Sequence, residues 1–376
     1  MPVIIDDLDD VESLHSADRE GLLHSAAMAG AQVRAVAEAQ AEGVLAPLAA
    51  LSPRAVVVVT GAALLPARAA ALVVAAFAGR IDVPITVGPV LPGWIGPLDL
   101  VVVAGEDAGD ALLTDALSRA ARRRAEIVVV APLEGPLREA AGVGLRGAVP
   151  LIDLSPRLPV DPRFRFTGHV AALVAVLAGL TAVRLAPKAP PLAEIADRLD
   201  AEAAADHPGQ ESFHNRAKLL ALRATGHRLS WAGDTPAAVA VAAQAAAAFF
   251  EIAGTPAAVA DEARALAALT AGAGAADPAA SLFYDPEFDG PPAADPLRLF
   301  VVTTAARSWF AEQRIGGRDV DVVTERAGDD DDPAPVRPAG ALEALTDTPA
   351  DLAAYLIVVV RSQLAAAYLA LAGDDG

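Results

Sequence analysis

The chain has 376 residues, enough for two domains at roughly 150 residues each and for a core that needs no disulfide or metal staple. With 54% hydrophobic and 20% charged residues it is globular in composition, which excludes a disordered, collagenous or fibrous chain. A net charge of −19 argues against nucleic acid and anionic membrane surfaces as partners, and the lack of cysteine excludes a thiolate nucleophile, a Cys-ligated zinc and an iron–sulfur cluster.

The acidic opening MPVIIDDLDDVES has no basic region followed by an apolar stretch, so no secretory signal and a cytoplasmic location are expected. Val11–Leu51 reads as one long helical segment. Ala55–Thr60 is a short β-branched run, followed by Gly61 and a helical stretch, Leu64–Ala78. The pattern recurs: a strand at Leu98–Val103, the loop Gly105–Gly109, a helix through Arg124, a strand at Glu126–Ala131, a short helix at Gly135–Ala141, a strand at Val149–Asp153 and an apolar helix at Phe166–Leu180. Continuous apolar strands alternating with helices predict a parallel sheet covered on both faces.

The proline-rich stretch Ala186–Pro191 is the candidate linker. Beyond it come helices at Leu192–Ala205 and Glu211–Leu222, a strand at His227–Ala232 and a helix over about Ala237–Ile252, where Thr235 before Pro236 is a start signal. A strand at Leu297–Thr304, a helix from Ala305, a strand at Val320–Thr324 and a C-terminal helix complete the pattern, and Asp329–Asp332 reads as a solvated loop. The expectation is two α/β domains in series, 1–186 with an N-terminal helical segment and 192–376 with a C-terminal helix, although no clean internal repeat is visible. Ala237–Gly254 and Leu352–Leu371 carry Gln244, Glu251, Arg361 and Gln363, which suit buried helices better than membrane spans.

Ligands of an open parallel sheet sit beyond the carboxyl ends of its strands, where helix N-termini offer free N–H groups to a phosphate. That singles out the loops after Thr60, Val103 and Ala232, with Gly61 allowing close backbone approach. No histidine pair has metal-ligand spacing, and no Gly-x-Ser-x-Gly elbow is present.

The arrangement resembles the two-domain phosphoglucose/phosphomannose isomerases, built from tandem sugar-isomerase (SIS) domains. Val56–Ala76, Asp110–Val130, the Pro162–Arg163 pair before an apolar helix, His214–Lys218 and Phe249–Gly254 carry the resemblance in order and spacing. It implies aldose–ketose isomerisation of glucose or mannose 6-phosphate, a small phosphosugar or related carbohydrate as ligand, no metal or nucleotide cofactor, and a homodimer. Residue by residue it implies Glu251 as the base that moves the proton between C2 and C1, Arg163 as the cation beside the enediolate oxygen, and Thr60, Gly61, Gly105, Asp107, Asp110 and Lys218 at the substrate.

The sequence departs from the family where the phosphate is held. Gly105, Asp107 and Asp110 stand in place of hydroxyl side chains, and a carboxylate about 4 Å from a phosphate costs on the order of 4 kcal/mol per charge pair. Phe250, Ile252 and Gly254 replace polar neighbours of the candidate base. No histidine follows His227 to open a sugar ring, and Tyr284 is the titratable aromatic nearest that point. Two expectations stand side by side: an isomerase with an impaired site, or a non-catalytic sensor or regulatory partner in sugar-phosphate metabolism.

Overall fold

The computed structural model describes residues 8–142, 150–273, 296–326 and 346–372. The first sheet has five parallel strands: β1 (Ala55–Val59), β2 (Ile85–Gly88), β3 (Asp99–Ala104), β4 (Glu126–Val130) and β5 (Ile152–Asp153). Their spatial order is β2-β1-β3-β4-β5. Every residue of β1 and β3 is buried, because helices cover both faces and valine's branched side chain fits the pleat. In register, Val57 pairs with Val101 and Val101 with Ile127. The helix Phe166–Gly179 packs against the helices Ala29–Ala41 and Leu64–Phe77, and its near-uniform apolarity matches burial on all sides.

The second sheet has four parallel strands: β6 (Arg228–Gly233), β7 (Ala257–Asp261), β8 (Leu297–Val302) and β9 (Asp321–Val323), in the order β7-β6-β8-β9. Its core is aromatic: Trp231 lies 5.6 Å from Phe249 and 4.8 Å from Phe300 between ring centroids. Both sheets share one winding, with the first strand between the second and third. The duplication that residue identities conceal is therefore plain in the strand order, as the expected pair of α/β layers requires.

Several elements differ from expectation. Val11–Leu51 is not one helix but three, Val11–Ala17, Leu22–Ala27 and Ala29–Ala41, with a 3₁₀ turn at Ala46–Ala50. Asp18 causes the first break by accepting the Leu22 and Leu23 N–H groups at 2.6 and 3.0 Å, and Gly21 takes a left-handed conformation at φ 69°. The edge strands β2 and β7 were not anticipated. The helix expected from Glu211 starts at Arg216, because Asn215 caps it by accepting the Lys218 N–H at 2.9 Å. Val149, the segment around Tyr284 and Asp329–Asp332 lie outside the described residues.

Two compact units contain these sheets. One comprises Met28–Asp200 with Asp347–Ala353, and the other the described residues of Met1–Ala27, Ala201–Thr346 and Ala354–Gly376. Residues 8–27 fall in the same compact unit as the second sheet. Asp9 supplies the physical reason: it accepts both the N–H and the hydroxyl of Ser212 at 2.7 Å and pairs with Lys218. The helices Pro236–Ala253 and Pro349–Ala372 have the length and hydropathy to cross a membrane, yet 61% and 94% of their apolar windows are buried in the protein.

Within the second-sheet unit, Arg361 of the C-terminal helix Leu352–Ala372 donates to Glu202 at 2.6 Å, and Tyr368 donates to the Asp206 carbonyl at 2.7 Å. Burial, helped by neighbouring Glu202, pushes the Asp206 carboxyl up to about 7, against about 3.9 when unfolded. Between those values the folded state holds a proton that the unfolded chain has lost, so this group's contribution to stability falls as pH rises from about 4 to 7 and is level above. Asp206→Asn is expected to remove that slope in urea midpoints measured from pH 4.5 to 7.5, relative to the unmodified chain.

Candidate functional site

The loops after β1 and β3 face each other at the carboxyl edge of the first sheet, where the strand order reverses. Thr60, Gly61, Gly105, Asp107 and Asp110 all lie at this edge. Thr60 is buried and its N–H donates to the Gly88 carbonyl at 3.0 Å. Gly61 is left-handed at φ 60°. Asp110 is the N-cap of the helix Ala111–Arg122: one carboxylate oxygen accepts the Leu112 N–H at 2.7 Å. Its other oxygen reaches across and accepts the Ala62 N–H at 2.9 Å.

Asp110 therefore occupies the crevice with a negative charge supplied by the chain itself. The two glycines show how full the space is. A Cβ at Gly61 would lie 2.2 Å from the Asp110 Oδ2, and one at Gly105 would lie 2.2 Å from the Leu113 Cδ1. These glycines make room for Asp110 and Leu113. Asp107 turns away: it is exposed and accepts the Gly109 N–H at 2.7 Å. The acidic loop predicted by the sequence is present, and one of its acids is folded into the crevice.

Arg163 sits on the 3₁₀ turn Pro162–Phe164 in the same unit. It is clamped on Asp161 through Nε at 3.1 Å and Nη2 at 2.8 Å, and Asp161 also accepts the Arg163 N–H at 2.9 Å. The guanidinium holds the Asp161 carboxyl below the usual carboxylate range. Glu251 and Lys218 belong to the other unit. Glu251 is exposed on the last turn of the helix Pro236–Ala253, between the exposed Phe250 and the buried Ile252. Lys218 is wholly buried, and its three N–H groups go to the Pro208 carbonyl at 2.9 Å, the Gln210 carbonyl at 2.7 Å and Asp9 at 3.1 Å. That set uses every donor an ammonium has, so Lys218 acts on the fold where the resemblance implies a substrate contact.

The corresponding edge of the second sheet is also filled from within. A Cβ at Gly233 would lie 2.2 Å from the Val239 nitrogen, so the helix start is packed directly on the end of β6. Thr235 caps that helix by accepting the Ala238 N–H at 3.2 Å, and its hydroxyl lies 3.0 Å from the Tyr355 hydroxyl. Asp234 and Arg307, each 2% exposed, lie 3.4 Å apart. Thr303 donates to Asp234 at 2.6 Å, and Arg307 donates to Tyr355. Nearby, Arg314 pairs with Glu262 at 2.6 Å, and burial still raises the Glu262 carboxyl. Sequence reading flagged the loop at Asp234 but not Arg307, whose only signal is an arginine five residues past the apolar strand that ends at Val302.

No protein-family model and no curated protein sequence matches the chain. Solved structures do share its fold. A candidate phosphosugar isomerase from Clostridium difficile matches with a TM-score of 0.61 at 10% identity, over 94% of each chain. Tagatose-6-phosphate ketose/aldose isomerase from Escherichia coli matches with a TM-score of 0.58 at 12% identity, over 94% of this chain and 92% of that one. The C-terminal domain of glucosamine-fructose-6-phosphate aminotransferase from Francisella tularensis matches at 0.55 and 12%, over 93% and 95%. The architecture is that of tandem SIS-type domains, two parallel sheets each flanked by helices. At these identities the likeness establishes the fold and not the chemistry.

Lys218→Met is expected to destabilise the protein by on the order of 3 kcal/mol, because two buried carbonyls lose their charged donor. Urea unfolding measures the loss.

Proposed function

We propose that this chain is a phosphosugar-isomerase-type scaffold that does not isomerise sugar phosphates, and that it serves as a non-catalytic binding or regulatory protein in sugar-phosphate metabolism. The single observation that carries the reading is the Asp110 carboxylate bridging the Leu112 and Ala62 N–H groups, where the resemblance implies a phosphate. A phosphate dianion entering the same space meets that charge. At about 4 Å the repulsion is on the order of 4 kcal/mol, or roughly a thousandfold in affinity.

The rest of the candidate machinery supports the same reading. Arg163, the candidate cation for the enediolate, is spent on Asp161. Glu251, the candidate base, stands exposed on the last helical turn. The same reading carries a homodimer and a cytoplasmic location, both resting on the resemblance alone.

Asp110→Thr tests it. Threonine still caps the helix, at a cost of a few tenths of a kcal/mol to about 1 kcal/mol, and it releases the Ala62 N–H. Fructose 6-phosphate at millimolar concentration is expected to raise the melting temperature of the variant and to leave that of the unmodified chain unchanged. In parallel, the unmodified chain is given glucose 6-phosphate or mannose 6-phosphate, and fructose 6-phosphate is followed. Turnover near one per second that disappears in Glu251→Gln would contradict the proposal and establish the isomerase reading in its place.

A further inference from the structure

The amino edge of the first sheet lies at the opposite strand ends from the Asp110 crevice. Arg54, Leu98 and Arg124 stand just before β1, β3 and β4, which are parallel neighbours in the sheet. They line one edge at a strand spacing of about 4.8 Å. Leu98, in the middle, is 71% exposed, and Trp94, in the loop before it, is 49% exposed. The Arg54 N–H donates to the Leu98 carbonyl at 2.7 Å. What binds here does not depend on whether the crevice takes a phosphate.

The fold holds these apolar side chains outward. Buried Asp99 accepts from Arg54 through Nε at 3.0 Å and Nη2 at 2.7 Å, and from the Gly96 N–H at 2.8 Å. The same Nη2 donates to the Trp94 carbonyl at 3.2 Å, and the guanidinium carbon stands 5.5 Å from the centre of the Trp94 ring. Arg123 donates Nη1 to the Pro92 and Gly93 carbonyls at 3.1 and 2.7 Å, which ties the end of the helix Ala111–Arg122 to this loop. A loop fixed in this way presents an indole and a leucine with little ordering left to be done on binding.

The charge beside them runs against the rest of the chain. Arg119, Arg122, Arg123 and Arg124 fall within one short stretch of a sequence with 29 Lys+Arg against 48 Asp+Glu. Arg119 pairs with Asp115, whereas Arg122, Arg123 and Arg124 have no ion-pair partner among the described residues. Exposed Glu126 offsets one of these charges and leaves the edge positive. Arg124 is the one described non-glycine residue with a positive φ, at 57°. Elsewhere the chain ends helices on left-handed Gly142, Gly254 and Gly316, and Arg119 and Arg122 already serve the negative end of this helix. Backbone preference therefore does not account for Arg124, and its exposed side chain is what the position gains. A nucleic acid or a membrane extends over many Debye lengths of about 8 Å and meets the remainder of a surface of net charge −19, as does a second copy of the chain. A short acidic segment covers this edge alone. We propose that the amino edge of the first sheet docks a short acidic segment of another protein, with an apolar side chain seated on Trp94 and Leu98 and flanking carboxylates on Arg122 and Arg124.

The probe is a fluorescein-labelled peptide, GDELDEFDELDG, titrated with the full chain and read by fluorescence anisotropy. Saturable binding is expected, and the neutral peptide GSQLSQFSQLSG is expected to bind at least about tenfold more weakly. Arg122→Gln combined with Arg124→Gly is expected to cost at least about tenfold in affinity, as is Trp94→Ala. Glycine suits the left-handed backbone at 124, so the double variant is expected to keep its melting temperature; if it does not fold, Trp94→Ala and the neutral peptide decide. Lys188→Gln combined with Arg198→Gln removes two exposed charges elsewhere and is expected to change affinity by less than about twofold. The proposal is overturned if the acidic peptide does not saturate at millimolar concentration, if the neutral peptide binds as well, or if the Arg122 and Arg124 variant loses no more than the Lys188 and Arg198 variant. It is equally overturned if phosphatidylserine vesicles or duplex DNA bind more tightly than the peptide and lose binding in the Arg122 and Arg124 variant. A dimer that Trp94→Ala converts to monomer in sedimentation would also overturn it, by making a second copy the occupant.

Discussion

A helix N-terminus at the switch point of a parallel sheet has to be given a negative partner, and in the first sheet the chain gives it one of its own. Asp110 caps the helix that follows β3 and holds the loop that follows β1 in the same grip. The left-handed Gly61 and the side-chain-free Gly105 are the conditions for that grip, since any larger residue would collide with Asp110 or Leu113. The interaction joins loops 48 residues apart in sequence, closes the crevice and sets the sign of the charge there. Everything inferred about phosphate follows from this placement. An anion site whose N–H groups already hold a carboxylate offers an incoming dianion repulsion where it would otherwise offer donors.

The second sheet reaches a comparable end by a different route. Its winding is the same, yet the helix after β6 packs directly on Gly233, and a buried arginine, Arg307, lies against Asp234 and Tyr355. A buried ion pair is an expensive way to fill space, because desolvation offsets most of the attraction unless further hydrogen bonds complete it. Here Thr303 and Tyr355 provide them. In the first sheet Asp110 holds the N–H groups at the strand ends, whereas just past β8 the buried Thr304 hydroxyl has no hydrogen-bond partner among the described residues. His169, buried on the helix Phe166–Gly179, likewise has no hydrogen-bond partner for its ring nitrogens among the described residues.

Much of this fold is legible in the sequence because valine-rich runs buried on both faces leave little ambiguity. β1, β3 and β4 fall where such runs are, and β6 and β8 on mixed apolar runs that hold Trp231 and Phe300. The edge strands β2 and β7 escape because Ile85–Gly88 and Ala257–Asp261 are short and half exposed, and β7 is mostly alanine, with little of the β-branched character that marks a strand. The duplication is invisible in residue identities and obvious in strand order, since topology constrains burial pattern and not side-chain identity. At the site, the presence of acid in the second loop is readable. Which acid turns inward is not: Asp107 and Asp110 are three residues apart, and only packing against Ala62 separates an exposed turn residue from the one that plugs the crevice. Lys218 sits in a segment that looks like a substrate motif, and its burial beneath Asp9 depends on a contact from 209 residues away. His169 hides for the opposite reason, as a buried polar residue two positions after Thr167 in the first turn of a helix that is otherwise apolar.

The most direct measurement follows the backbone amides of Ala62 and Leu112 by NMR while fructose 6-phosphate is added to the unmodified chain. With Asp110 seated on both N–H groups, the two resonances are expected to stay in place at millimolar sugar phosphate. A saturable shift of both amides would mean that the carboxylate yields to the ligand, and would contradict the account at its centre.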